Sequence, residues 1–317
     1  QAASRKTTVD DTAAWVRKNP DSPLAYIWFG IDASLAGVID RRTELSGWSD
    51  KHRQEFMRMQ QSRPPLWLRP AAAQDAKALC DELKTAGVEV NLNKHGLCAT
   101  GGFGVQQTDA YKEGRVEVQD FASQQIAAAV NAQPGEKIWD ACAGAGGKTL
   151  AIADGMGGKG AVVATDLKEF KLTELKKRAK RAGIANIRTF VWDGEAPLRL
   201  PKEIARQKGF DKVLIDAPCT ATGTWRRNPD ARNRLNDDYL NELTALQQQL
   251  LNHASDAVRS GGKLIYATCS WLAEENEDAV EAFLKNHPEF SLERMQMLGA
   301  PDVDSDTMFV AIMKRES

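Results

Sequence analysis

The chain has 317 residues, a formal net charge of −1 and 27% charged residues, values that are typical of a globular protein. No apolar run approaches the ~18 residues of a membrane span, and the first residues, QAASRKTTVD, lack the apolar core of a signal peptide. Five scattered cysteines without a CxxC pair argue against a disulfide framework or a zinc site. We therefore expect a cytoplasmic protein that holds no metal and carries at most a local basic surface for nucleic acid.

The first third of the chain predicts two units ahead of the main one. Residues 1–61 contain the helix-forming segments DDTAAWVRKNP and WSDKHRQEFMRMQQ with prolines between them, which predicts a helical N-terminal extension. Residues 62–115 read as a strand (PLWLRP), a helix (AAAQDAKALCDELKTAG) and a strand (VEVNLN). This order predicts a small α+β domain.

Residues 116–317 form the third predicted unit, in which strands alternate with helices. The strands are KIWDA, AVVATD, IRTFVWD, DKVLID and KLIYATC, and MFVAIMK is expected to close the sheet. A long helix is expected near residues 236–259. Such alternation predicts an α/β domain, a mostly parallel Rossmann-like sheet covered by helices on both faces.

A glycine-rich turn follows the first of these strands, in KIWDACAGAGGKTLAIA. Gly144, Gly146 and Gly147 allow the backbone to approach a ligand closely, and the helix that follows offers unpaired N–H groups. The turn does not match the GxxxxGK[ST] phosphate loop, because Cys142 stands where that motif needs glycine. The turn therefore indicates a ligand site that is not a phosphate loop of that kind.

Acidic residues end three successive strands of this unit: Asp140, Asp166 and Asp193. Each alone is readily explained as a helix N-cap. Together, they fit an adenosine-bearing cofactor, with Asp166 placed for the ribose hydroxyls and Asp193 for the adenine amino group. The set favours S-adenosylmethionine as the cofactor.

Two cysteine segments, Asp216-Ala217-Pro218-Cys219 and Thr268-Cys269-Ser270, each follow an apolar run typical of a buried strand. The carboxyl ends of such strands face the crevice where open α/β sheets bind ligands. Two thiols at that edge, without metal-ligand spacing, indicate covalent chemistry. The alternative is that both are small buried residues with no chemical role.

These motifs together resemble a known family. DACAGAGGKT, ATDLKEFKL, VWDGE, IDAPCTATGTWRRNPD and IYATCSWLAEENEDAVEAFL occur in the order found in the Sun-type (NOL/NOP/Sun) RNA cytosine-5 methyltransferases. The resemblance covers about residues 62–317, and it likens residues 62–115 to the family's small RNA-binding-motif-like domain. It implies S-adenosylmethionine-dependent methylation of C5 of cytidine in structured RNA, with ribosomal RNA as the first substrate to expect and transfer RNA as the second.

The resemblance also implies roles for individual residues. Cys269 matches the nucleophile, Cys219 the cysteine that assists product release, and Asp216 the acid that contacts the target base. Lys148 matches a lysine near the active site. The predicted cofactor-binding residues are Cys142, Ala143, Gly144, Ala145, Gly146, Gly147, Lys148, Asp166, Asp193 and Asp216.

The chain departs from the family at Ala145, which replaces a proline, and at Ala221, which replaces a glycine. A reversed assignment has Cys219 as the nucleophile, as in DNA cytosine-5 methyltransferases, but those enzymes lack the second motif that Cys269 supplies here. Another hypothesis is a catalytically silent RNA-binding assembly factor. In either case we expect RNA as the partner and a monomeric protein.

The segment after Cys219 has two interpretations. Trp225, Arg226 and Arg227 suit stacking and phosphate contacts with a flipped base in RNA. The alternative is a surface loop in which an arginine pairs with Asp230.

Overall fold

The computed structural model describes residues 12, 14–16, 19, 22, 31–100 and 104–317. Most of the predicted N-terminal helix DDTAAWVRKNP lies outside these residues, and its described positions 12 and 14–16 are helical. Within the described ranges, no helix combines the length and apolar character needed to cross a membrane.

The N-terminal part contains two helices, α1 (Ala36–Leu45) and α2 (Asp50–Met59), preceded by a 3₁₀ turn at Ala33–Leu35. Helix α2 buries Phe56, whose ring lies 5.8 Å from that of Trp271 in an edge-to-face contact. Helix α1 buries Arg42, whose guanidinium makes a 2.6 Å ion pair with Glu277. These helices are therefore packed against the segment that follows Cys269.

The second part is a four-stranded antiparallel sheet with one main helix. Its elements are β1 (Leu66–Pro70), α3 (Ala76–Thr85), β2 (Val90–Asn93), β3 (Gly96–Ala99), a 3₁₀ turn (Val105–Gln107), α4 (Asp109–Lys112) and β4 (Val116–Val118). The strand order is β2-β3-β1-β4. Helix α3 packs Leu79, Cys80 and Leu83 into the core of this unit. Strands β3 and β4 were not predicted, and β4 lies just beyond the predicted division at residue 115.

The third part is a seven-stranded sheet with its flanking helices. Its elements are α5 (Phe121–Ala129), β5 (Lys137–Asp140), α6 (Gly147–Gly155), β6 (Ala161–Asp166), α7 (Glu169–Arg181), β7 (Ile187–Val191), α8 (Lys202–Arg206), β8 (Phe210–Asp216), 3₁₀ turns (Thr222–Thr224 and Pro229–Arg234), α9 (Asp237–Ser255), β9 (Val258–Thr268), α10 (Glu277–Asn286), β10 (Phe290–Gly299) and β11 (Thr307–Arg315). The strand order is β10-β11-β9-β8-β5-β6-β7. The five strands from β7 to β9 in this order are parallel, whereas β11 runs antiparallel to both of its neighbours, β9 and β10. The predicted α/β fold class is confirmed.

The strand predicted to close the sheet does not lie at its edge. Strand β11 pairs on one side with β9 and on the other with β10. Most of β11 is buried, whereas residues 291–296 of β10, SLERMQ, are exposed. The sequence prediction missed β10 because its charged and polar side chains hide the alternation expected of a half-buried strand.

Alternating side chains of the central strands fill two hydrophobic layers. Trp139 and Val213 point into the layer that contains Leu250 of α9, and the neighbouring Ile138 and Leu214 point into the other layer with α5 and α6. Burial on both faces makes these strands a rigid support. The loops at their carboxyl ends are consequently held by a well-packed core.

Candidate active site

The predicted acids and cysteines lie along one edge of the seven-stranded sheet. Asp140 ends β5, Asp166 ends β6, Asp216 ends β8, and Cys269 directly follows β9. These strands are parallel neighbours, so their carboxyl ends share an edge. The sheet topology therefore brings residues that are far apart in sequence to one crevice.

The sulfur atoms of Cys219 and Cys269 are 3.2 Å apart. Both residues are partly exposed at this edge of the sheet. Gly223 N donates a 2.9 Å hydrogen bond to the Cys269 carbonyl oxygen, and a Cβ built on Gly223 would lie 1.7 Å from the Thr307 carbonyl oxygen. Only glycine fits at this position, and its close approach holds the two cysteine segments together.

Lys148, in the first turn of α6, donates a 2.7 Å hydrogen bond from Nζ to Oδ2 of Asp216. Burial alone would lower the pKa of Lys148, but the attraction of Asp216, followed by that of Cys269 and Asp140, raises it. Lys148 is therefore a buried cation at neutral pH, close to the Cys269 sulfur.

The surroundings of Cys219 disfavour the ionised form of its thiol. Its hydrogen bond with Cys269, its burial, and the negative charges of Cys269 and Glu275 raise the pKa of the Cys219 thiol well above its usual value. Cys219 is accordingly held as a thiol at neutral pH.

The segment after Cys219 does not have the exposed side chains that the RNA-stacking interpretation predicts. Trp225 is buried and packs edge-to-face on Trp271, and Arg226 is buried and donates to Asp304 at 2.6 Å. Neither side chain is available to stack on a base. The arginine–aspartate pairs involve Asp304 and Asp306, so the predicted pairing with Asp230 is also not the one observed.

Arg227 is the one residue of this trio that remains half-exposed, with Nε donating to Asp306 Oδ2 at 2.7 Å. Burial would lower the pKa of Arg227, but Asp306, Asp120 and Cys269 together raise it. Arg227 therefore supplies a second cation close to Cys269.

The glycine-rich turn is tied to Asp166. Gly144 N donates to Oδ2 of Asp166 at 3.0 Å, and Lys168 N donates to its Oδ1 at 2.8 Å. Gly146 has φ of 88°, and a Cβ there would lie 2.5 Å from Leu175 Cγ. The turn consequently needs glycine at 146 in order to pack on α7 while keeping Asp166 beside it.

Asp140 is fully buried beneath this turn. Its Oδ2 accepts a 2.6 Å hydrogen bond from Thr149 Oγ1, while its Oδ1 is buried without a partner in the described part of the chain. Burial raises the pKa of Asp140 to about 7, helped by the nearby charge of Asp216 and opposed by Thr149. A buried oxygen without a donor marks a place where a ligand's donor would fit.

Two other predicted cofactor residues contribute less distinct contacts. Asp193 is exposed, and its Oδ1 accepts a 3.0 Å hydrogen bond from Glu195 N. Cys142 is partly buried and packs against the hydrophobic layer that contains Tyr266. Within the described residues, no cluster of histidine, cysteine or acidic side chains has the arrangement of a metal site.

Two buried residues of this region were not singled out from the sequence, Glu275 and Gln247. Glu275 hydrogen-bonds the residue after Cys219, and Gln247 bonds both Glu275 and Pro218. Glu275 lies within the acidic run AEENED, which is typical of an exposed helix start, so the sequence alone gave no signal of its burial.

Comparison with known proteins identifies the family. Residues 127–312 match the family described as 16S rRNA methyltransferase RsmB/F. The chain belongs to this family. This match confirms the predicted family.

Individual relatives agree with this assignment. Ribosomal RNA small subunit methyltransferase B of Yersinia pestis is 33% identical over 258 residues, which are 78% of this chain and 57% of the relative. The chain thus spans little more than half the length of the curated relatives that it matches.

Solved structures show the same fold. The structure of PH0851 is 32% identical, with a TM-score of 0.78 over 88% of this chain and 66% of its own length. The structure of NSun6 from Pyrococcus horikoshii with SFG is 17% identical, with a TM-score of 0.73 over 88% of this chain and 98% of its own. At this identity, the second similarity concerns the fold alone.

Proposed function

We propose that this protein methylates C5 of a cytidine in structured RNA, with ribosomal RNA as the first substrate to test, through a covalent bond between Cys269 and the base. The carrying observation is the 3.2 Å approach of the Cys219 and Cys269 sulfurs beside the Lys148–Asp216 pair. Membership of the RsmB/F family supports the reaction class and the type of RNA.

The residues present fit S-adenosylmethionine. The buried, unpartnered Oδ1 of Asp140 and the turn around Gly144 suit the cationic methionine part of the cofactor. Asp166, which accepts hydrogen bonds from two backbone N–H groups, is the candidate to accept from the ribose hydroxyls, and Asp193 is the candidate to accept from the adenine amino group. When bound, the cofactor supplies an electrophilic methyl group.

Cys269 is the better candidate for the nucleophile because Lys148 and Arg227 place positive charge near its sulfur. A thiolate is the reactive form of cysteine, and nearby cations stabilise it. Attack on C6 forms a sulfur–carbon bond, breaks the aromaticity of the ring and makes C5 nucleophilic. After C5 gains its methyl group, it loses its proton to a base, and the sulfur–C6 bond breaks as the double bond reforms.

Asp216 is the candidate for holding the target base. Its side chain is about one-third exposed at the end of β8, and its pairing with Lys148 fixes one oxygen. A carboxylate oxygen facing the crevice can accept from the N4 amino group of cytosine, which is a hydrogen-bond donor. This contact would orient C6 towards Cys269.

Cys219 is the candidate for assisting product release. As a thiol, it can donate a hydrogen bond to the Cys269 sulfur 3.2 Å away when that sulfur departs from C6 as a thiolate. Cys269 would thus act when the bond to the base forms, and Cys219 would act when that bond breaks.

Trapping of the covalent intermediate tests both roles. Cys219→Ser, incubated with ribosomal RNA transcripts and S-adenosylmethionine, should accumulate a denaturation-resistant protein–RNA adduct, whereas Cys269→Ser should form none and transfer no methyl group. Adduct formation by Cys269→Ser alone would reverse the roles. Bisulfite sequencing, with transfer RNA as a parallel arm, should locate 5-methylcytosine. Cofactor binding without transfer to any RNA would favour the assembly-factor hypothesis.

A further inference from the structure

Glu275 is a fully buried carboxylate that lies six residues after Cys269, between β9 and α10. It accepts hydrogen bonds from Thr220 N at 2.8 Å, from Thr220 Oγ1 at 2.5 Å and from Gln247 Nε2 at 3.1 Å. An ionised carboxylate only accepts hydrogen bonds, so three donors converging on it form a matched site. A buried charge of this kind is costly unless it is bonded in this way.

These hydrogen bonds hold the chain on both sides of Cys219. Thr220, the next residue, is bonded to Glu275 directly. Pro218, the preceding residue, accepts a 2.9 Å hydrogen bond at its carbonyl oxygen from Gln247, which is itself bonded to Glu275. The position of the Cys219 sulfur relative to Cys269 therefore depends on Glu275.

The same carboxylate contributes to the electrostatic surroundings of Cys219. The titratable groups that act on this thiol are Cys269 and Glu275, and Tyr266 of β9 lies close to it. Tyr266 is held in place because its hydroxyl donates a 2.7 Å hydrogen bond to the Glu275 carbonyl oxygen. Of these groups, Glu275 is the carboxylate, and its negative charge opposes ionisation of Cys219.

We propose that Glu275 is a positioning residue that fixes Cys219 beside Cys269 and keeps Cys219 in its thiol form. Its consequence for product release rests on the proposed function above. Its effect on Cys219 itself does not depend on RNA or on methyl transfer.

The first test measures Cys219 alone. In a Cys269→Ser background, the rate of iodoacetamide labelling of Cys219 is followed against pH by peptide mass spectrometry, with and without Glu275→Gln. Loss of the carboxylate should lower the pH of half-maximal labelling, because the negative charge that opposes ionisation of Cys219 is removed. An unchanged midpoint would overturn the proposal even if the protein proved to be an active methyltransferase.

Two control variants separate charge from loosening of the loop. Glu274→Gln removes the neighbouring carboxylate, which is 39% exposed and pairs with Arg41, and it should leave the midpoint unchanged. Thr220→Val removes one hydrogen bond to Glu275 but keeps its charge, so it should shift the midpoint less than Glu275→Gln does. An equal shift in Thr220→Val would show that the charge of Glu275 is not the cause.

The second test examines release with RNA present. In the otherwise unchanged protein, Glu275→Gln should accumulate the protein–RNA adduct as Cys219→Ser does, and the double variant should accumulate no more than Cys219→Ser. A residue with only a structural role would instead lower adduct formation and methylation together. That result, with a shifted labelling midpoint, would overturn the role in release while leaving the effect on the thiol.

Discussion

Cys219 and Cys269 have sulfur atoms 3.2 Å apart and yet lie in opposite electrostatic surroundings. Cys219 faces the carboxylate of Glu275, whereas Cys269 has Lys148 and Arg227 nearby. Two identical side chains can therefore take different chemical roles without being far apart. The difference comes from neighbours contributed by separate elements of the fold.

The two cysteines also differ in how they are supported. Cys269 follows the end of β9, where Thr268 Oγ1 donates a 2.6 Å hydrogen bond to Asn276. Cys219 lies in a loop that continues through Ala221, a residue with φ of 58°. A strand end gives a more fixed position than a loop, so the loop relies on the side-chain hydrogen bonds around Glu275.

The largest effect on the difference between the two cysteines is expected when the cation near Cys269 is removed. Lys148→Met should lower methylation by about 100- to 1,000-fold, because a buried charge that stabilises the reacting groups is lost. Transfer of a tritiated methyl group to ribosomal RNA transcripts measures this loss. Lys177→Met, at a side chain that is 71% exposed, is the matched control and should keep its activity. Methylation by Lys148→Met at the rate of the unchanged protein would contradict the role assigned to Lys148.

A smaller effect is expected from a change at Asp140, the buried acid whose charge also acts on Lys148. The pKa of Asp140 is raised from 3.8 to about 7, so the folded protein binds this proton more tightly than the unfolded chain does. Protonated Asp140 therefore contributes about 4 kcal/mol to the free energy of unfolding below about pH 4, and this contribution is lost as the pH rises to about 7. Asp140→Asn should remove this part of the pH dependence.

Urea unfolding of the cofactor-free protein at a series of pH values measures this effect as the difference between the two profiles. Asp140→Asn should also weaken S-adenosylmethionine binding in calorimetry, because the partner expected for the cofactor's cationic part loses its charge. Parallel stability profiles for the two proteins would show that Asp140 has the same pKa in the folded and unfolded states, which would contradict this prediction.

The smallest expected effect concerns the backbone of the Cys219 loop. Ala221 occupies the left-handed region, which costs a non-glycine residue about 1–2 kcal/mol, while glycine adds about 0.5–1 kcal/mol of chain entropy. Ala221→Gly should therefore raise the free energy of unfolding by at most about 1.5 kcal/mol. A clear loss of stability in urea unfolding would mean that the methyl group makes contacts that outweigh the strain.

The sequence was sufficient to predict the sheet that carries the site. Apolar runs such as AVVATD and DKVLID, each ending in an acid, predict buried parallel strands. The two cysteine motifs predict that Cys219 and Cys269 lie at the same edge of the sheet. These signals are local, since each depends on a strand and the residue that follows it. The roles of the individual site residues and the domain divisions remain predictions.

Contacts between residues distant in sequence could not be predicted in this way. Trp225 and Arg226 read as exposed RNA contacts, but the N-terminal helices and the loop around Asp304 cover them. Glu275 reads as part of an exposed acidic run, but donors from Thr220 and Gln247 converge on it. Burial of a charged side chain depends on partners distant in sequence, and no periodicity along the chain reports them.

The ion pair between Arg42 and Glu277 bears on how this protein can be divided for experiments. Glu277 lies two residues after Glu275, and its partner comes from α1, 235 positions earlier in the chain. A fragment beginning at residue 62 or 116 would contain every proposed catalytic group but would lack Arg42 and would expose the apolar surface around Trp271 on which Phe56 packs. Expression boundaries for the smallest working fragment should therefore lie upstream of Ala36.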